Sequence, residues 1–549
     1  MKRQGILGLA VLAGLAAAPA LAQTVNYALP PQTRITSLLP IAAANIESLY
    51  DGQAAELLYR PLLWVDHNIQ IDYARSIASS VTTKDGQHYF VKLNPKWHWS
   101  NGQPVTAQDV AFSFDLIKGI SAKNAATYYA WGIGGIPNNV VSVKVLSAHE
   151  LEFVTDHPYS KQWFELNGLA QLFPLPKASW DKYPGHPYKT LLYLQKNQAN
   201  IPFFKSSPVD GPFMVSRFVN NQSYSFVPNP HYDGHKPSYS KLVLRYFTSS
   251  DAIFNAMRVG QLQVGILPFH LYAERSQLSA YTFHSEPQWS INYIYVNFAN
   301  PKDPALKSLT VRKALQMAVD QPAMLKVIVN GQGVDQYGPV PYQPSTYLSP
   351  LLKSGYVPYA YDPAAGKALL EKAGWHMVNG VMQKGGMRLA FNLQYSAGQA
   401  IFERETQLIQ QAAAKEGIKL TLAPKPFDTL IGELGSPKTW SLIDYGGWIY
   451  QPDYYPTGFG LFNSQGGSNQ QGYSNPVMNR ATVNTHSFYA TRQQSLTALF
   501  DYENYTALQL PLIWLPGTNQ LQEISKQLSG VFAHYNPTGN WSPQYWQFK

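Results

Sequence analysis

With no cysteine among its 549 residues, the chain can form no disulfide, use no thiol nucleophile and build no Cys-ligated metal site. Its length is enough to bury a self-sufficient core and suggests about two to four domains. The formal charge of +9 is spread along the sequence without a Lys/Arg-rich run, so it describes a diffusely basic surface rather than one built for nucleic acid or anionic lipid.

The first elements read as an export leader. Lys2 and Arg3 precede an apolar stretch over residues 6–18, and Ala20-Leu21-Ala22 supplies a small-x-small cleavage pattern, so residues 1–22 are expected to be removed and the mature chain to begin at Gln23. The stretch is too short for a spanning helix and is broken by Pro19. No Cys follows it to accept a lipid.

Residues 53–63 read as a helix running into an extended segment at Pro61. A hairpin follows, with arms at 81–84 and 88–93 and a tight turn at Asp85-Gly86. Asn101-Gly102 makes another turn. Thr106 is placed to cap a helix, with Asp109 three residues on, and Val110, Phe114 and Ile117 mark that helix's core face. Between 180 and 208 the pattern loosens and reads as a connection.

Two extended runs then meet at Asn220-Asn221. A strand is expected at 242–247, a helix at 252–259 closed by Gly260, and a strand at 262–266. The second half repeats this alternation. A strand at 291–298 precedes one amphipathic helix over 310–329. Asp362-Pro363 opens a helix that Gly374 closes, and a strand, helix and strand follow at 389–395, 403–416 and 418–422. Alternating strands and helices in two successive halves predict an α/β protein of two lobes with mainly parallel sheets, and a cleft between them.

Several segments together resemble one family, the family 5 extracellular solute-binding proteins that serve oligopeptide, dipeptide and nickel importers. They are LLYRPLL at 57–63, WHWSNGQPVTAQDVAFSF at 97–114, Asp210-Gly211-Pro212-Phe213, NPHYDGHKP at 229–237, Val311-Arg312-Lys313-Ala314-Leu315 with Ala318-Val319-Asp320, and YDPAAGKALLEKAGW at 361–375. Their order and spacing cover nearly the whole chain beyond the leader. Most of these residue types make turns, caps and core faces.

The resemblance implies a two-lobed periplasmic binding protein fold of the cluster C type. Lobe I would use residues 24–58, 205–282 and 508–549, a subdomain inserted in it would use 59–204, and lobe II would use 283–507. It also implies a monomeric periplasmic receptor without cofactor or metal. Such a receptor captures a small ligand, an oligopeptide by this reading, and delivers it to an inner-membrane ABC permease without chemistry. A sugar or metal-chelate ligand is the alternative within that reading, and a periplasmic hydrolase of peptides or glycans the alternative outside it. The sequence offers a hydrolase little: it has no Gly-x-Ser-x-Gly elbow, His-Glu-x-x-His pair or phosphate-binding loop, and its 13 His are dispersed. His98, between Trp97 and Trp99, reads as packed.

The best site candidate is 444–459, DYGGWIYQPDYYPTGF. Gly446 and Gly447 allow close main-chain approach, and Trp448 offers a flat apolar wall. The resemblance ends a strand at the cleft with this Gly-Trp pair and sets the backbone beyond it, from Ile449, beside an extended ligand, with Tyr445 among the candidate contacts. It also puts an ammonium-binding Asp three residues after the Trp, where this chain has Gln451, with Asp453 as the nearest acid. Asp444 and Tyr445 stand where some relatives carry a carboxylate-binding Arg. Tyr128, Tyr129 and Trp131 form an aromatic cluster that relatives direct toward the cleft, and residues 45–51 correspond to a loop that contacts the bound main chain.

Overall fold

The computed structural model describes residues 23–549 apart from 32, 42–48, 124–132, 452 and 540. The expected leader, Tyr128, Tyr129, Trp131 and most of the 45–51 loop therefore lie outside the described residues.

Local chemistry sets the element boundaries where short-range signals are strong. The Asp109 carboxylate accepts from both the amide and the hydroxyl of Thr106 at 2.9 Å, closing the capping box at the start of helix Ala107–Ser121. Asp362 accepts from the Ala365 amide at 2.9 Å to start helix Pro363–Lys372, and Gly374 ends it at φ 86°. Asp85 accepts from the amides of Gln87 and His88, folding the turn between strands Ala78–Thr82 and His88–Leu93.

Two expectations fail for physical reasons. The single helix over 310–329 is two, Leu309–Met317 and Gln321–Val327. Pro322 cannot donate to the preceding turn, and Asp320 accepts from the Ala323 amide at 3.0 Å to begin a new helix. The loose stretch at 180–208 contains helices Pro187–Lys196 and Ile201–Ser206, each opened by a proline in its first turn.

The fold is α/β, but its sheets are mixed rather than mainly parallel. A seven-stranded sheet runs in the order Tyr281–Glu286, Gln520–Ser525, Val264–Ile266, Thr24–Ala28, Lys241–Arg245, Ser223–Pro228, Phe213–Val219. In it, only the pairings made by Thr24–Ala28 are parallel. A five-stranded sheet runs Lys419–Lys425, Ala390–Ser396, Leu442–Ile449, Ser290–Val296, Leu512–Leu515, with parallel pairing only around Ala390–Ser396. A wholly antiparallel four-stranded sheet uses strands within residues 78–93 and 140–155. One continuous apolar cluster reaches into all three, from Val25 through Val91 to Leu393.

Segments carrying the family resemblance lock onto one another. Asp210 accepts from the Arg60 amide at 3.0 Å, and the Gly211 amide donates to the Leu58 carbonyl at 2.8 Å. A Cβ on Gly211 would lie 2.5 Å from the Leu58 carbonyl carbon, so only glycine permits that approach. Asn229 donates to the Gly211 carbonyl at 2.9 Å. Arg312 is buried with no carboxylate partner among the described residues; it donates to the carbonyls of Leu306, Lys307, Gln509 and Leu510 and lies over the Phe298 ring.

Two strand segments pass side by side from one large sheet to the other. Tyr281–Glu286 pairs with Gln520–Ser525 in the first sheet, and Ser290–Val296 pairs with Leu512–Leu515 in the second. Residues 287–289 and 516–519 are the short bridges between them.

Candidate functional site

Strand Leu442–Ile449 carries the candidate residues, and its geometry explains the two glycines. Asn292 faces Gly447 and Ile294 faces Asp444, so Tyr445 and Gly446 together oppose the single residue Tyr293. This is a β-bulge, and it bends and twists the strand just before Trp448. Gly446 sits at φ 112°, a conformation side chains resist. A Cβ on Gly447 would lie 1.9 Å from the Ile291 carbonyl oxygen.

Beneath the bulge lies a pair of buried acids. The Asp444 carboxylate accepts from the Gly446 amide at 3.2 Å and is hydrogen-bonded to the carboxyl of Glu405, on helix Ala400–Lys415. Burial raises the proton affinity of both groups, and the Asp444 charge holds the Glu405 proton still more firmly. Two hydrogen-bonded carboxyls require a shared proton, so the pair supports the bulge in its protonated form. Asp444 therefore faces the helix layer, not an open cleft. The clue in the sequence was Glu405, which shares the helix face of Phe402, Thr406 and Ile409, all of them buried.

Tyr445 takes the other side of the sheet. Its ring stacks on Tyr295 at 5.7 Å and meets the edges of Tyr293 and Phe427. Phe427, 48% exposed, and Ile431, 42% exposed, are one turn apart on helix Phe427–Leu434. Sequence reading missed them; the signal was an amphipathic helix with more apolar residues than its core face could cover. Ile449 is also open, at 41%.

Trp448 is partly buried, and its indole N–H donates to Asp453 Oδ2 at 3.1 Å. Burial pushes the Asp453 carboxyl up to about 7, against the stabilising hydrogen bond from Trp448. Asp453 Oδ1 is buried with no hydrogen-bond partner among the described residues. The segment 444–455 contains no Lys or Arg.

Neighbouring residues hold Asp453 in place. Tyr450 is fully buried; its amide donates to the Trp289 carbonyl at 2.9 Å and its hydroxyl to the Pro339 carbonyl. The Trp289 indole N–H donates to the Tyr454 carbonyl at 2.9 Å. Tyr455 and Asn167 exchange hydrogen bonds of 2.7 and 2.9 Å, tying the segment to residues 164–168. Tyr450 and Tyr454 are thus packing residues. Gln451, partly buried, donates its amide to the Ile449 carbonyl at 2.9 Å and lies between the open Ile449 and Asp453.

Other candidates resolve into structure. Asp51 accepts from the amides of Thr36 and Ser37 at 2.6 and 3.1 Å, so it anchors the fold. Trp97 and Trp99 are buried, but His98, expected to be packed, keeps its side chain 41% exposed with Nδ1 3.2 Å from Asp233. Among the described residues, no three His, Cys, Asp or Glu are grouped to hold a metal, and no helix is long and apolar enough to cross a membrane.

Comparisons with known proteins agree with this architecture. The model of the bacterial extracellular solute-binding proteins, family 5 middle, matches residues 72–470. A Brucella ovis protein bearing an ABC transporter peptide-binding name is 27% identical over 327 residues. That match takes in 59% of this chain and 56% of the relative, so the chain matches little more than half the length of such relatives. The oligopeptide-binding protein AppA of Bacillus subtilis is 24% identical over 492 residues, 87% of this chain and 84% of that one. Its structure with a nonapeptide aligns with a TM-score of 0.73 at 20% identity, covering 96% of this chain and 99% of AppA. The periplasmic EDTA-binding protein EppA aligns with a TM-score of 0.78 at 16% identity, covering 99% of each chain.

Proposed function

The chain belongs to the bacterial extracellular solute-binding proteins of family 5, and from that premise we propose that it is the periplasmic capture subunit of an ABC importer. Its ligand by this reading is a short peptide, held in a cleft beside Trp448 and passed unchanged to the permease. The paired bridges at 287–289 and 516–519 supply a hinge about which the two large sheets close on the ligand.

The observation that carries the peptide reading is Asp453. Its Oδ1 is buried with no partner among the described residues, no Lys or Arg lies in its segment, and Trp448 fixes its other oxygen. A buried carboxyl without a counter-charge is poised for a cation, and a peptide's terminal ammonium is the simplest one to supply it. Asp453 takes the ammonium role that Gln451, neutral at the relatives' Asp position, cannot fill. The lack of basic residues in 444–455 favours this ligand over an anionic chelate of the kind in EppA's name.

The linkage has a definite sign. Ammonium binding needs Asp453 ionised, so below about 7 its protonation competes with the ligand. Above about 8 the peptide's own amine loses its charge. Affinity for a free-amine peptide should therefore peak between these limits and fall about tenfold per pH unit on the acid side. The N-acetylated peptide should bind more weakly and lack the acid limb. Calorimetry of both peptides against wild type and Asp453→Asn tests this. A free-amine preference undiminished in Asp453→Asn would refute the assignment.

A further inference from the structure

A cavity of about 470 Å³ lies at a seam where residues 70–73, 83–84 and 160–166 face Tyr347 and residues 488–495. None of residues 444–455 lines it. Its charged groups are Lys84 and Lys161 on one side, Arg492 on the other, and Glu165 as the acid.

Glu165 is already neutralised: Lys161 Nζ lies 2.8 Å from its carboxylate, which also accepts from the Tyr73 hydroxyl. That leaves Lys84 and Arg492, one from each side of the seam, with no ion-pair or hydrogen-bond partner among the described residues. Arg492 also opens the 18-residue helix Arg492–Gln509, whose N-terminal dipole has the same polarity.

Gln162 adds a second, independent requirement. Its Nε2 donates to the Tyr347 hydroxyl at 2.8 Å, and that hydroxyl spends its single hydrogen on the Ile69 carbonyl, also at 2.8 Å. The amide orientation is thereby determined. Gln162 lines the cavity, and its Oε1 is left as a buried acceptor with no donor among the described residues. A buried acceptor of this kind calls for a donor from outside the chain.

We propose that this cavity is a second binding site, for a small hydroxy- or amino-substituted polycarboxylate. Carboxylates of the ligand meet Lys84 and Arg492, and its hydroxyl or amino hydrogen meets Gln162 Oε1. Because the cations come from opposite sides of the seam, the bound anion ties residues 70–84 and 160–166 to residues 347 and 488–495, and so favours the closed arrangement that the proposed function invokes.

Citrate is a suitable probe, since it carries carboxylates and a hydroxyl on one small frame; tricarballylate has the same frame without the hydroxyl. In calorimetric titrations of the full chain, citrate should bind wild type at one site and several-fold more tightly than tricarballylate. The double variant Lys84→Gln/Arg492→Gln should bind citrate at least about tenfold more weakly, as loss of charge-assisted contacts requires. Both residues are exposed, and unchanged thermal melting verifies that this variant folds. Trp448→Ala should bind citrate as wild type does. The proposal is overturned if wild type does not bind citrate, if the double variant binds it equally well, or if Trp448→Ala loses it, which would assign the anion to the cleft beside Trp448.

Discussion

Gly447→Val is expected to unfold the site and destabilise the chain by about 3 kcal/mol or more, the range of severe backbone and packing insults. The first atom of any side chain at 447 would lie 1.9 Å from the Ile291 carbonyl oxygen and 2.8 Å from the Asn292 Cα. Both obstacles are backbone in the paired strand Ser290–Val296, so no rotamer change relieves the clash. The strands must separate, and the bulge that orients Trp448 is lost with them. Gly467, where an added Cβ meets nothing within 4 Å, provides the control. Gly467→Ala should stay within about 0.5 kcal/mol of wild type. Chemical denaturation of both variants checks the contrast.

Raising the pH should weaken the fold well before strong alkali. Glu416 and Glu503 are fully buried, and burial pushes their carboxyls up to about 9 and about 8. The Glu405–Asp444 pair is raised in the same direction. Between the ordinary and the raised value such a group stays protonated in the fold while the unfolded chain has already ionised, so stability falls with pH across that window. Their contribution is complete below the ordinary carboxylate range and is lost as pH rises through the raised folded value. Each group fully in that window lowers stability by about 1.4 kcal/mol per pH unit. His486, partly buried and stacked on Trp163, is lowered to about 4 by desolvation and opposes this trend only in the acid range.

The melting temperature should therefore be highest near pH 5 and fall through pH 9. Glu416 isolates the cause. Both its oxygens are buried without a partner among the described residues, and Asp362 adds repulsion. Glu416→Gln should stabilise the chain by about 2 kcal/mol or more at pH 8 and by little at pH 5. Equal effects at the two pH values would remove ionisation as the explanation.

How far the fold could be read in advance depended on the range of the forces involved. Thr106 with Asp109, Asp362 with Gly374, and Asp85-Gly86 act within one turn of chain, and each makes the structure its local chemistry dictates. Strand direction is a long-range property. Ser290–Val296 looks like its neighbours in sequence, yet it pairs antiparallel on both sides because the chain crosses there between two sheets. The break at Asp320 was hidden because apolar spacing continues across it.

The site shows the same division. The Gly446-Gly447-Trp448 run was legible as a place of close backbone approach, and the bulge accounts for it. The hydrogen bond from Trp448 to Asp453 was not legible, because the turn between them depends on Trp289 gripping the backbone of Tyr450 and Tyr454. Nor was the Glu405–Asp444 pair, whose members are far apart in sequence and meet only when helix Ala400–Lys415 packs on its strand.

The central claim is that the chain captures a peptide beside Trp448 and does no chemistry on it. The direct measurement is mass spectrometry of a mixture of short peptides after equilibration with the protein, separating retained from free material. The account predicts that wild type retains intact peptides at about one per chain and leaves the free pool unshortened. Trp448→Ala, folded as wild type, should lose binding by about 2 kcal/mol or more, roughly thirtyfold, through lost apolar burial and the freed Asp453. Cleaved peptides in the free pool, or undiminished retention by Trp448→Ala, would contradict it.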